Sequence, residues 1–216
     1  MSIPESIAML APNRLGRLTW FGSALLAAFL AGCVTPAYPP APIGAASSDY
    51  SYQIGPLDTV NVIVWRNPEL SLSVPVRPDG KITTPLIEDL PVLGRTSTEL
   101  ARDMEKALVK YIRDPVVTVI VTNFSGPANQ QIRVIGEAAT PQILPYRTQM
   151  TLLDVMIAVG GLTKYAAGND SVIIRTAQGE QNTYSVHLNS LIRDGEIENN
   201  VALRPGDILI IPQRLF

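Results

Sequence analysis

The chain of 216 residues has one cysteine, Cys33, and one histidine, His187. A single thiol excludes an intramolecular disulfide framework, and one imidazole leaves no His/Cys cluster with metal-ligand spacing. Aromatic residues make up 6% of the chain and the formal net charge is −2. That is not the footprint of a nucleic-acid binder, which needs a clustered basic face. A phosphate-cradling loop is missing too, because Gly160-Gly161 closes a helical stretch instead of opening one. Beyond residue 31 no apolar run approaches the roughly 20 residues of a spanning helix. Nothing in these patterns calls for a metal or a cofactor.

What the chain does have begins at its start. Leu18 to Ala31 is almost uncharged and rich in Leu, Ala and Phe, with Arg14 and Arg17 just before it. A basic stretch, a short apolar stretch and small residues at the cut describe a secretory signal peptide. The run is too short for a transmembrane anchor. A cut between Gly32 and Cys33 resembles the lipobox of bacterial lipoproteins. That resemblance implies removal of residues 1–32, acylation of Cys33 and attachment to a membrane by lipid. Position 34 is Val, not the Asp that holds such lipoproteins at the inner membrane, which favours the outer membrane of a Gram-negative cell, facing the periplasm. Arg14 and Arg17 leave with the signal and Glu5 is the only acid lost, so net charge moves from −2 to −3.

Residues 33–49 hold Pro36, Pro39, Pro40 and Pro42, then Gly44, Ala45, Ala46, Ser47 and Ser48. Such a composition builds no core and reads as a tether. Proline-rich chain extends about 3.1 Å per residue, for a reach of roughly 50 Å.

Order is expected from Tyr50. Thr59–Trp65 is a strand by its β-branched content, with Val60, Val62 and Val64 on one face. Leu70–Val76 alternates, Asp79-Gly80 signals a hairpin, and Lys81–Pro85 reads as its return strand. Thr96-x-x-Glu99 is a capping box opening a helix. The apolar stripe Leu100, Met104, Ala107, Leu108, Tyr111 and Ile112 extends that helix toward Pro115. Val116–Val121 is apolar on both faces, so burial on both sides is expected, within the domain or against a neighbouring subunit.

A boundary is expected across Asn123–Gln131. The second unit then reads as a strand Ile132–Gly136, a helix Leu152–Val159 capped by Thr151 and closed by Gly160-Gly161, a hairpin around Gln178-Gly179-Glu180, and a last strand Asp207–Pro212. Gly55-Pro56-Leu57-Asp58 and Arg204-Pro205-Gly206-Asp207 share local turn chemistry, each feeding a β-branched strand.

Catalysis finds little support in this pattern. A Ser-His-Asp triad would need His187, which lies mid-strand between Val186 and Leu188. Glycoside hydrolysis needs two carboxylates held across a sugar, and the adjacent Glu88-Asp89 reads as a solvated turn. The expectation is a protein that is not an enzyme. Trp65, Arg66, Arg77, Asp79 and Lys81 remain as surface candidates for glycan or subunit contact, weighed against a plain charged hairpin tip.

Tyr52–Asp58, Val60–Trp65, Pro68-Glu69-Leu70, Val76–Ile82 and Pro85-Leu86-Ile87, with the helix Thr98–Ile112 and the strand Pro115–Val121, resemble the polysaccharide export domain of Wza-type outer-membrane exporters. Val134-Ile135-Gly136-Glu137 with Pro141, Thr151–Val155 to Gly160-Gly161, and Arg204–Asp207 resemble one SLBB (soluble ligand-binding β-grasp) domain. The resemblance implies an α+β chain: a small mixed α/β export domain over residues 50–122, then a β-grasp-like SLBB domain over residues 131–216. It implies lipid-anchored subunits in a ring-shaped homo-oligomer that conducts a capsular or secreted polysaccharide, docked on an inner-membrane polysaccharide co-polymerase. A non-conducting glycan-binding or adaptor module of the same system is the alternative. Larger exporters carry a further SLBB domain and a C-terminal amphipathic pore helix, patterns not met up to Phe216. Where the family often has Pro-Gly, this chain has Pro141-Gln142, so that turn is expected to differ.

Overall fold

A computed structural model describes residues 38–43, 50–177 and 179–214. The expected signal segment over residues 1–32, with Gly32 at its end, and Cys33 lie outside the described residues. The chain is α+β, with two separate hydrophobic cores, one within residues 54–121 and the other formed mainly by residues 132–211.

The first core is built by strand β1 (Thr59–Val64), whose alternation points Val60, Val62 and Val64 inward at 0–3% exposure. β1 is the centre of an antiparallel sheet with β2 (Leu72–Pro75) on one side and β5 (Val117–Asn123) on the other. Helix α1 (Ser97–Leu108) covers the inner face with Leu100, Ala101, Met104 and Leu108. Its capping box forms as the sequence signals: Thr96 Oγ1 accepts from Glu99 N–H, and the Glu99 carboxylate accepts from Thr96 N–H. These bonds to Thr96 hold the Glu99 carboxyl below its usual range.

Two expectations in this half are corrected. Lys81–Thr84 is strand β3, and its partner is β4 (Ile87–Pro91) ahead of it, not Leu70–Val76 behind it. Pro75 has no N–H to offer a second ladder, while Pro85 and Leu86, the latter at φ 68°, make a tight turn between β3 and β4. The Arg77–Gly80 turn does form: Gly80 sits at φ 74°, and a Cβ there would lie 2.8 Å from that of Leu93. Helix α1 ends at Leu108, one turn before the stripe runs out, leaving Tyr111 57% exposed. Within this unit β5 turns Val117 and Val119 inward while Thr118 and Ile120 face out, so of its two apolar faces one is buried in the domain.

The second core sits under a five-stranded mixed sheet of order β7-β6-β10-β8-β9. Here β6 is Gln131–Gly136, β7 Ile143–Pro145, β8 Ser171–Ala177, β9 Glu180–Val186 and β10 Ile208–Ile211. β10 runs parallel to β6 and antiparallel to β8. Helix α2 (Leu152–Ala158) begins with a second capping box, Thr151 with Asp154, and buries Leu152, Val155 and Met156. The Pro141-Gln142 departure has a local use: Gln142 Nε2 donates to Ala158 O at 2.9 Å, satisfying a carbonyl at the end of α2. Helix α3 (Leu188–Ile192) replaces the expected end of the last hairpin strand, so His187 precedes a helix instead of lying mid-strand.

The expected tether is corrected over Tyr38–Ala41. Pro40 forms a parallel bridge with Ser185 of β9, and Ala41 is 5% exposed within the second core. Among the described residues no helix is long and apolar enough to cross a membrane.

Candidate functional site

Gly55-Pro56-Leu57-Asp58 and Arg204-Pro205-Gly206-Asp207 fold alike. Proline takes the second position, the third residue has positive φ (Leu57 69°, Gly206 87°), and the Asp N–H closes on the first carbonyl. In both turns the Asp side chain also reaches back: Gly55 N–H donates to Asp58 Oδ2 and Arg204 N–H to Asp207 Oδ2, each at 2.8 Å. Both carboxylates are buried.

Their remaining partners differ. Asp207 takes a guanidinium, with Arg175 Nε on Oδ1 at 2.9 Å and Nη2 on Oδ2 at 2.7 Å. Asp58 instead collects neutral donors. The Tyr52 hydroxyl donates to Oδ2 at 2.6 Å, and the N–H groups of Ser125 and Gly126 donate to Oδ1 at 2.6 and 2.9 Å. Asp58 therefore ties the turn before β1 to the segment that leaves β5. Burial, then the bond to Asp58, push the Tyr52 phenol well above its ordinary value.

That connecting segment is held from the other side as well. Gln131 Nε2 donates to Ser125 O and Gly126 O, both at 3.1 Å. Gln130 Oε1 accepts from the Tyr50 hydroxyl at 3.0 Å and from Gln53 N–H at 3.2 Å. Gly55 is needed because the backbones touch there: a Cβ would sit 2.1 Å from Gly126 C. Beside this joint opens a groove of about 430 Å³ lined by Pro56, Leu57, Phe124, Gln131, Ile143 and Pro145. Leu57, Phe124 and Ile143 are exposed along it. A non-glycine residue at positive φ with its apolar side chain in solvent is strain kept at a surface.

The surface candidates divide into two places. Arg77 pairs with Asp79 at 2.7 Å and Asp89 at 2.5 Å, all three exposed, and Lys81 O accepts from Arg77 N–H. This hairpin lies at the Thr59 end of β1, where Thr59 faces Pro75. Trp65, 65% exposed, and Arg66, at φ 62°, follow the other end, about 20 Å away at the rise of a strand. The two groups are not brought together. Glu88-Asp89 makes no facing acid pair, because Asp89 is engaged by Arg77. His187 Nδ1 lies 3.0 Å from the Asn169 carbonyl, not from a carboxylate. Among the described residues no three His, Cys, Asp or Glu side chains group as metal ligands.

A second feature lies on the outer face of the β2-β1-β5 sheet. Ile63, Trp65, Val116 and Ile120 are 40–65% exposed there. They are neighbours by register: Ile63 faces Thr118, Asn61 faces Ile120, and Trp65 N–H bonds Val116 O.

Two family patterns match the chain: polysaccharide biosynthesis/export protein over residues 46–122 and SLBB domain over residues 130–211. The EPS I polysaccharide export outer membrane protein EpsA of Ralstonia nicotianae is 28% identical over 187 residues, 76% of this chain and 48% of that protein. EpsA of Ralstonia solanacearum is 29% identical over the same shares. The exopolysaccharide production protein ExoF of Rhizobium meliloti is 28% identical over 126 residues, 52% of this chain and 29% of that protein. The chain thus spans about half the length of the EpsA proteins or less of the curated relatives it matches.

Proposed function

Because the chain belongs to the polysaccharide biosynthesis/export proteins, with one export domain and one SLBB domain, we propose that it is a lipid-anchored component of a polysaccharide export machine at the outer membrane. Acylated Cys33 holds it there, facing the periplasm. Copies assemble into a ring that conducts a capsular or secreted polymer and meets an inner-membrane polysaccharide co-polymerase. The protein acts by assembly and not by catalysis.

The observation that supports the ring is the outer face of β1 and β5. Contiguous exposed apolar residues on a small protein mark an interaction surface, and Ile63, Trp65, Val116 and Ile120 form such a patch on β-branched strands. The two-sided apolar pattern of Val116–Val121 leads one to expect burial within the domain or against a neighbouring subunit, and this is the face that the domain itself leaves open. Head-to-tail contacts close into rings when the rotation between copies permits. Trp65 and Arg66 then belong to the subunit contact, while Arg77, Asp79 and Lys81 are the polar candidates for sugar.

Analytical ultracentrifugation and electron microscopy of detergent-extracted full-length protein test this reading. A closed multi-subunit ring is expected. A strict monomer by both methods supports the non-conducting adaptor instead. Cys33→Ala is expected to leave the protein unacylated and unable to support polymer secretion; unchanged secretion removes the anchor from the mechanism.

A further inference from the structure

We infer that strand β5 of one copy takes strand β2 of the next copy as a parallel neighbour, so that the export units of a ring share one extended sheet. The inference deepens the reading above and rests on ring assembly. The sheet of order β2-β1-β5 has two open edges, and β5 is the longer of them at seven residues. Trp65 N–H donates to Val116 O, so by the alternation of an antiparallel pair Val116, Thr118 and Ile120 bond β1. Val117, Val119 and Val121 therefore turn their N–H and C=O groups away from β1. Val117 bears this out: its N–H donates to Glu105 Oε1 at 2.9 Å, and its carbonyl accepts from Arg102 Nη2 at 3.3 Å. The outward groups of Val119 and Val121 have no partner among the described residues. A groove of about 170 Å³, lined by Ala101 and Arg102 of α1 with Val117 and Val119, opens beside this edge. Such an edge is a template for another strand.

The other edge of the same sheet supplies the occupant. Val76 N–H donates to Asp58 O, so Val74 and Leu72 bond β1 while Ser73 and Pro75 face outward. Proline at 75 agrees, because it has no N–H to leave unpaired there. Ser73 is exposed, and neither its N–H nor its carbonyl has a partner among the described residues. In a parallel ladder one residue bonds the two that flank its opposite number. Ser73 of the next copy, set beside Ile120, thus donates to Val119 O and accepts from Val121 N–H. Val117 is already occupied, which excludes a register one pair earlier. The faces agree as well: Asn61 pairs with Ser73 on one side and Ile120 on the other, so both side chains share the outer face. β2 and β5 each run antiparallel to β1 and hence parallel to one another. Rotation about an axis along the strands then brings β2 to β5 in the direction the ladder needs. A β5–β5 contact would stop at two copies, whereas β5 on β2 is head-to-tail and can close.

The test uses detergent-extracted full-length protein, in which an acylated Cys33 leaves no free thiol. The double variant Ser73→Cys/Ile120→Cys is oxidised and run on non-reducing gels. Within one copy these positions lie on either side of β1, two strand spacings or about 10 Å apart, too far for a disulfide. Across the junction they are one spacing apart, about 5 Å. A ladder of linked copies is expected from the double variant, linked pairs only from the two single variants expressed together, and no link from either alone. Val121→Pro removes an outward N–H and no bond to β1, so it should abolish the ring in sedimentation with a urea midpoint near wild type. If Val121→Pro does not fold, the ladder alone decides. Rings without a ladder, rings intact in folded Val121→Pro, or links formed by Ile120→Cys alone overturn the edge contact and leave the ring. A monomeric wild type removes the ring and the contact together.

Discussion

The Tyr52 hydroxyl donates to Asp58 Oδ2 at 2.6 Å, while the other oxygen of the same carboxylate holds the N–H groups of Ser125 and Gly126. One buried residue thus joins a turn ahead of the first strand to the segment leaving the last strand of the export unit. Asp58→Ala would strand four donors at once. An unsatisfied buried donor costs about 1–3 kcal/mol, so a loss on the order of 3 kcal/mol or more is expected in urea unfolding. Asp58→Asn keeps an acceptor for the Ser125 and Gly126 amides but turns an NH₂ toward Gly55 N–H, and should fall between wild type and Ala. New proteolytic cleavage within residues 123–131 of Asp58→Ala would report the loosened joint directly. Equal stability of wild type and Asp58→Ala would refute it.

The tyrosines near the joint predict an alkaline transition. Burial raises Tyr50, Tyr52 and Tyr146 above their ordinary value of 10, with bonding to Asp58 adding to the shift at Tyr52. Above pH 10 the unfolded chain loses these protons and the folded chain keeps them, so the unfolded state binds fewer protons and stability falls as pH rises. The stabilisation is fully present below pH 10. A urea midpoint that declines from about pH 10 upward is expected, with a shallower decline in Tyr52→Phe. A Tyr52→Phe profile parallel to wild type would count against the assignment.

In the second core, Arg175 and Asp207 form a buried bidentate pair, with side chains 5% and 1% exposed. Arg175 Nη2 also donates to Ala202 O at 3.3 Å, and its guanidinium lies 5.7 Å from the Tyr184 ring centroid. Arg175→Met leaves the Asp207 carboxylate without its cation and should cost about 3–5 kcal/mol. Arg175→Met combined with Asp207→Asn should recover part of that loss. Thermal unfolding of the four proteins in a double-mutant cycle measures it, and strict additivity would show that the pair is uncoupled.

The outer sheet face makes opposite demands on folding and assembly. Ile120 is 45% exposed on β5, so Ile120→Lys removes little buried surface and should shift stability by no more than about 0.5 kcal/mol. The same change puts a charge in the proposed subunit contact and should convert rings to monomers in sedimentation. Rings that persist in both Ile120→Lys and Ile63→Lys would move the contact elsewhere.

The elements read most directly from sequence are those whose signals are local. The Thr96-x-x-Glu99 box and the Thr151 cap open the two longer helices where the sequence signals them, because capping satisfies amides within one turn. Val60, Val62 and Val64 go inward because a strand alternates. Less was legible where an element's fate depends on distant partners. Ile143–Pro145 is too short a strand to carry a pattern and exists because β6 pairs with it. Tyr111 fits the stripe of α1 by periodicity, yet the helix ends before it.

The site shows the same division. The two x-Pro-x-Asp turns follow from proline's restricted φ, a third residue at positive φ, and aspartate's reach to nearby amides, all set within four residues. That Asp58 meets Ser125 and Asp207 meets Arg175 is set by tertiary structure, across separations of 67 and 32 residues. Ala41 is the sharpest case: its proline-rich surroundings can build no core of their own, and only the open edge of β9 gives them one to join. Hydrogen bonding within a turn is decided by neighbours in sequence, whereas burial depends on which surfaces the folded chain brings together.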